Sequence, residues 1–136
     1  MAIEEGAWFW YQVTEAIDGE LVGNPAREIY TVTSIRGKAA EVRKEVPGLK
    51  EPETLHTMKS YGSYIFDIDN LSPIAQETID TCVGKVKCDV CKLMARDEEI
   101  TAYVDKNNIV YRYSKQIKRA DGQLHTYAYE LVALGL

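Results

Sequence analysis

The chain has 136 residues, of which 46% are hydrophobic and 27% charged, a length typical of one compact domain over residues 1–136. Sixteen Lys and Arg residues against twenty-one Asp and Glu residues give a net charge of -5, which argues against a general nucleic-acid binder. No apolar run approaches the ~20 residues of a membrane-spanning helix, and the first residues are acidic, unlike a secretory signal. We therefore expect no membrane span and favour the cytoplasm.

The N-terminal part of the chain has the two-residue hydrophobic period of β-strands. Residues 8–14 alternate, so that Phe9 and Tyr11 share one face and Trp8 and Trp10 share the other. Asp18-Gly19 is a turn signal. Strands are predicted over residues 8–14, 27–36 and 40–46, and together they form a plausible antiparallel meander.

The middle of the chain is less regular, and His56 is expected in a loop there. Residues 64–69, Tyr-Ile-Phe-Asp-Ile-Asp, predict a short strand. Ser72-Pro73 is typical of a helix start, with Ser as the cap and Pro at the first helical position. We expect one or two helical turns over residues 73–77.

The C-terminal half contains a series of predicted strands. Gly84, Asn107-Asn108 and Asp121-Gly122 are turn signals between them. The predicted strands are residues 77–81, 86–94, 100–105, 109–117 and 124–132. The pattern predicts a mainly β fold: an antiparallel meander that forms a barrel or a curved half-barrel, with at most one or two short helices.

Three short motifs resemble those of small prokaryotic β domains, often lipoproteins, with half-barrel or lipocalin-like folds. Residues 6–13, Gly-Ala-Trp-Phe-Trp-Tyr-Gln-Val, resemble their Gly-Asp-Trp-x-x-Tyr-x-Val opening strand. Residues 77–86 are similar to their Glu-Thr-Val-x-Thr-Pro-x-Gly-x-Phe hairpin, and Thr101-Ala-Tyr-Val-Asp105 followed by Ile109-Val-Tyr to a late hairpin. Ala7 and Cys82 replace an Asp and a Pro of these motifs. The resemblance implies a half-barrel or lipocalin-like fold, and most such domains have no assigned chemistry.

Large aromatic residues lie on both faces of the first predicted strand. If Phe9 and Tyr11 build the core, Trp8 and Trp10 need a cover, which a helix, a partner subunit or a ligand would supply. Tyrosines suit either a barrel wall or the lining of an amphiphilic pocket. The candidate ligand-binding residues are Trp8, Trp10, Tyr11, Tyr113 and Tyr127.

All three cysteines, Cys82, Cys88 and Cys91, fall within ten residues. Alternation on a strand predicts Cys88 in the core and Cys91 on the opposite face. Three readings stay open: incidental thiols, a redox pair (Cys82 with Cys88, or Cys88 with Cys91), and a metal site that would need His56 or His125 as fourth ligand. Whether a metal binds is unknown from the sequence.

Sequence motifs of catalysis are absent: there is no phosphate-binding glycine loop, nucleophile elbow or His-Glu-x-x-His. No catalytic residue or cofactor is therefore predicted. The function that the sequence favours is a non-catalytic binding module that holds an apolar or amphiphilic small molecule, or a protein partner, in a curved β-sheet. The alternative is a thiol-based redox or metal-binding protein. We also expect a homodimer, formed through residues 124–132 as an exposed sheet edge.

Overall fold

The computed structural model describes residues 3–48, 51–58 and 64–136. These residues form ten β-strands and no helix, so none of them crosses a membrane as a helix. The strands are β1 (Trp8–Ile17), β2 (Glu20–Leu21), β3 (Ala26–Arg36), β4 (Ala39–Glu45), β5 (Glu53–Met58), β6 (Ser72–Thr81), β7 (Gly84–Ala95), β8 (Glu98–Val104), β9 (Val110–Lys118) and β10 (Leu124–Gly135). The predicted mainly β, antiparallel fold is confirmed.

The strands form one sheet in the order β5-β4-β3-β1-β10-β9-β8-β7-β6, with β2 paired to β1. Two meanders, β1 to β5 and β6 to β10, meet where β1 pairs with β10 over its whole length. The sheet is not closed, because β5 and β6 are its two edges. Of the two predicted shapes, the curved half-barrel fits this open sheet.

Two turns confirm the predicted turn chemistry. Asp18 and Gly19 both have positive φ, 51° and 85°, as a tight hairpin turn requires. Asn108 also has positive φ, 63°, a conformation that asparagine tolerates better than most residues. The Asp18 carboxylate also accepts a hydrogen bond from the backbone N–H of Leu124 at 2.9 Å. This contact ties the first turn to the start of the last strand.

Four local predictions are wrong. Residues 73–77 are not helical but belong to β6, an edge strand that tolerates Pro73 because the proline faces Cys91 beside a register shift. Residues 64–69 are not a strand of the sheet. His56, expected in a loop, lies in β5. β10 is not a sheet edge, because β1 and β9 flank it, and this removes the structural basis of the predicted homodimer.

The core lies against one face of the sheet. We call it the inner face: it carries Phe9, Tyr11 and Val13 of β1, while Trp8, Trp10 and Gln12 point to the outer face. Phe9 and Tyr11 are each 1% exposed, which confirms the predicted core residues.

The described part of the segment between β5 and β6 packs on the inner face. β5 and β6 are the opposite edges of the sheet, and a connecting segment joins them in the chain. Its described part, residues 64–71, which we call the crossover, buries Tyr64 and Phe66 in the core cluster. Ile68 and Leu71 pack against the same cluster. The protein's own chain therefore packs against part of the inner face.

Candidate functional site: a tyrosine cage on the inner face

Three tyrosines from three neighbouring strands surround the ring of Phe66. Tyr113 stacks on it with ring centroids 4.5 Å apart and planes 19° apart. Tyr11 and Tyr129 each meet it edge to face, with centroids at 5.2 Å. We call these residues, Tyr11, Tyr113 and Tyr129, the tyrosine cage. Stacked and edge-to-face rings attract one another beyond the effect of area burial, so the cage is built to hold an apolar, planar group.

The register of the sheet positions the cage. Tyr113 of β9 lies directly opposite Tyr129 of β10, and Tyr129 lies opposite Val13, two residues along from Tyr11. Residues two apart on a strand share a face. The alternation of β1, β9 and β10 therefore points all three rings inward.

The hydroxyl of Tyr11 has a backbone partner inside the protein. It donates a hydrogen bond of 2.6 Å to the carbonyl oxygen of Val110. Burial raises the pKa of Tyr11, and burial is also the main reason that the pKa of Tyr129 rises to about 12. The cage is therefore uncharged at neutral pH.

A polar cluster borders the cage on the side of β3 and β4. The Tyr30 hydroxyl donates to the Glu28 carboxylate, and the Lys44 ammonium lies 3.6 Å from the same carboxylate. The Tyr30 ring packs edge to face against Tyr11 with centroids 6.0 Å apart. We call Tyr30, Glu28 and Lys44 the polar rim. An apolar cage next to a charged rim matches the two parts of an amphiphile.

The predicted ligand-binding residues separate into two groups. Tyr11 and Tyr113 belong to the cage, and Tyr127 lies on the same face, two residues along β10 from Tyr129 and opposite Lys115. Trp8 and Trp10 lie on the outer face. The five residues therefore do not line a common site.

Each of the two tryptophans has a local contact on the outer face. A Cβ added at Gly135 would lie 2.1 Å from Nε1 of Trp8, so this indole packs directly on the glycine backbone. The guanidinium carbon of Arg27 lies 5.0 Å from the ring centroid of Trp10. The predicted need for a cover is met in part by the chain itself, and Trp8 stays 36% exposed.

Tyr129, Tyr30 and Phe66 complete the site and were not predicted to do so. The sequence could have indicated Tyr129, since it is two residues from Tyr127 and so shares its face of the strand. The sequence could not have indicated Phe66, because Tyr-Ile-Phe-Asp-Ile-Asp favours a strand and does not show that the segment packs on the inner face.

The three cysteines do not meet at one site in the structure. Cys88 is buried in β7, Cys91 is half-buried on the same strand, and Cys82 is exposed in the turn before it. Burial raises the pKa of the Cys88 thiol to about 11, and it also raises the pKa of Cys82 and Cys91. Within the described ranges no three His, Cys, Asp or Glu side chains group as metal ligands. Redox or metal chemistry at these cysteines stays a prediction, and the raised pKa values weigh against a reactive thiolate.

The cysteines should differ in reactivity in the order of their exposure. We expect an alkylating reagent to modify Cys82 first, Cys91 next and Cys88 last, because attack requires an accessible thiolate. Cys88→Ser should lower the free energy of unfolding by about 1–3 kcal/mol, since it places a hydroxyl without a partner in the core. Cys91→Ser should cost less. Cys91 packs against the core cluster and not on the predicted opposite face, so the expected order rests on its partial exposure. Timed alkylation with peptide mass spectrometry and urea unfolding measure both effects, and equal labelling of Cys88 and Cys91 would contradict this order of exposure.

Comparison with known proteins assigns the chain to no family. No family model and no curated protein matches it. A DUF1329 family protein from Desulfovibrio piger aligns over 91% of this chain and 83% of its own, with 7% identity and a TM-score of 0.29. A domain provisionally assigned as an outer membrane lipoprotein-sorting protein from Vibrio parahaemolyticus aligns over 95% of this chain and 84% of its own, with 6% identity and a TM-score of 0.33. Both neighbours are β-rich, and at these TM-scores the similarity carries neither a family nor a function for this chain.

Proposed function

We propose that the protein is a non-catalytic binding module that holds an apolar or amphiphilic molecule against the inner face of its curved sheet. The apolar part would lie in the tyrosine cage, and the polar part would reach the rim of Tyr30, Glu28 and Lys44. The observation that carries the proposal is the position of Phe66. An aromatic side chain from outside the sheet already occupies the cage.

Phe66 occupies the position that we assign to the apolar part of the ligand. It belongs to the crossover and to none of the ten strands, so it reaches the cage from outside the sheet. A ligand of similar shape would compete with it for the three tyrosine rings. The competition lowers the apparent affinity, because only the fraction of molecules with an open cage binds.

Removing the competitor should therefore strengthen binding. We expect the wild-type protein to bind oleate weakly and with one saturable site, and Phe66→Ala to bind it at least about tenfold more tightly because the cage opens without cost to the ligand. Isothermal titration calorimetry measures both affinities at a temperature where circular dichroism shows each protein folded. Phe66→Leu, which keeps most of the buried volume, provides an intermediate variant of higher stability.

A control separates an open cage from a loosened core. Val42→Ala removes a side chain that is 0% exposed in β4, and it leaves the cage intact. We expect its affinity for oleate to equal that of the wild-type protein. The proposal fails if wild type and Phe66→Ala both show no saturable binding, or if Val42→Ala gains affinity as much as Phe66→Ala.

A further inference from the structure

A depression lies on the outer face, on the opposite side of the sheet from the tyrosine cage. It is a half-open groove of about 290 Å³ across β1, β10, β9 and β8, which we call the outer groove. Small-molecule sites span roughly 300–1,000 Å³, so the outer groove lies at the lower limit of that range. Tyr113 and Tyr129 also line it, but the proposed function uses their rings on the inner face and not this groove.

Two rows of the sheet register build the groove. In the first row Gln12 faces Glu130, Glu130 faces Arg112, and Arg112 faces Tyr103 across successive strands. The second row is Thr14, Ala128, Ser114 and Thr101. All eight residues line the groove. Its walls therefore carry hydroxyls, an amide, a guanidinium, a carboxylate and an aromatic ring.

The two charges of the groove are balanced and do not pair with each other. Arg112 and Glu130 lie directly opposite on β9 and β10, yet neither takes part in any of the ion pairs in the described part of the chain. The guanidinium instead lies 5.8 Å from the Tyr103 ring centroid and donates to the carbonyl oxygen of Asp80 at 3.3 Å. Arginine has five N–H donors, so this bond leaves others for a ligand.

We propose that the outer groove binds a neutral polyhydroxyl ligand of the size of a mono- or disaccharide. A ligand without ionised groups leaves Arg112 and Glu130 to act as hydrogen-bond donor and acceptor for its hydroxyls. Its hydroxyls both donate and accept, so they bridge the Arg112 donors and the Glu130 acceptors, with Thr101 and Ser114 in the neighbouring row. The Tyr103 ring offers a face for the C–H groups of a sugar.

Amide chemical shifts of the full-length protein test the proposal. We expect glucose, maltose or cellobiose to shift amides of Thr101, Ser114 and their neighbours in a saturable way, whereas glutamine, a zwitterion, causes no such shift. Ala128→Leu places a larger side chain at a residue that lines the groove, and it should weaken saccharide binding at least about tenfold. Arg112→Lys keeps the charge but loses the planar fork, and it should weaken binding in the same direction.

The matched control is Thr126→Leu, which adds a leucine to the same face of β10 two residues away, outside the groove. We expect it to bind as the wild-type protein does. Saturable shifts with glutamine alone, no saturable shift with any of the three saccharides, or full affinity in both Ala128→Leu and Arg112→Lys would overturn the proposal. Oleate binding is measured separately, so failure here leaves the tyrosine cage to be judged by its own experiment.

Discussion

Tyr11→Ala should lower the free energy of unfolding by about 3–5 kcal/mol, the loss typical of a large aromatic side chain removed from a core. Tyr11 is 1% exposed and its ring meets Tyr30, Phe66 and Tyr129 edge to face. Tyr11→Phe keeps those rings in contact and should cost only about 1–3 kcal/mol, because it removes the donor to the Val110 carbonyl. Urea unfolding followed by circular dichroism measures both variants.

The comparison of the two variants separates packing from hydrogen bonding. Tyr127→Ala is the control, since Tyr127 lies on the same face of the sheet but is only half-buried. We expect it to cost clearly less than Tyr11→Ala. If Tyr11→Phe is as destabilising as Tyr11→Ala, the ring contacts contribute little, and the cage does not hold the crossover in place.

Alkaline pH should unfold the protein steeply. Burial is the main cause that raises the pKa of Tyr11, Tyr30 and Tyr111 above the ordinary tyrosine value. Tyrosines of the unfolded chain lose their protons near pH 10. Above that pH the unfolded chain binds fewer protons than the folded chain, so stability falls as the pH rises. Below it these three groups leave stability unchanged.

The free energy of unfolding should fall steeply with each pH unit, because the contributions of the three tyrosines add. Each buried tyrosine contributes about 1.4 kcal/mol per pH unit, so the three together contribute roughly 4 kcal/mol per unit above pH 10. Cys88, with a pKa of about 11 against an ordinary 9.0, starts a smaller loss one unit lower. Urea unfolding at a series of pH values measures the slope, and Tyr30→Phe should reduce it by about a third. Full tyrosinate absorbance near pH 10 with an unchanged circular dichroism spectrum would contradict this burial.

Local sequence signals were sufficient for most strands. The alternation of residues 8–14, the turn at Asp18-Gly19 and the asparagine turn before β9 all describe interactions between near neighbours in the chain, and the structure confirms them. The errors at residues 64–69 and 73–77 have a common cause. Both segments carry ordinary local signals, of a strand and of a helix start, but residues 64–69 pack on the inner face and residues 73–77 pair with β7.

The candidate site was predicted only in part for the same reason. Tyr11 and Tyr113 were named as ligand-binding residues, but the partner that brings them together, Phe66, is distant in sequence from both. Trp8 and Trp10 carry as much aromatic surface as the residues of the cage. Their place on the outer face follows from which side of β1 the crossover covers. The residues of β1 do not by themselves indicate which side that is.

The sequence by itself determined that the chain is a mainly β, antiparallel protein with Phe9 and Tyr11 on a common face, because a two-residue period and turn chemistry are local properties. Only the tertiary structure decided that β1 pairs with β10, that β5 and β6 are the edges, and that Phe66 fills the tyrosine cage. These features depend on contacts between residues up to about a hundred positions apart, such as Tyr11 with Val110. Alternation shows that a strand has two faces, but burial of one of them is settled by whichever segment packs across it.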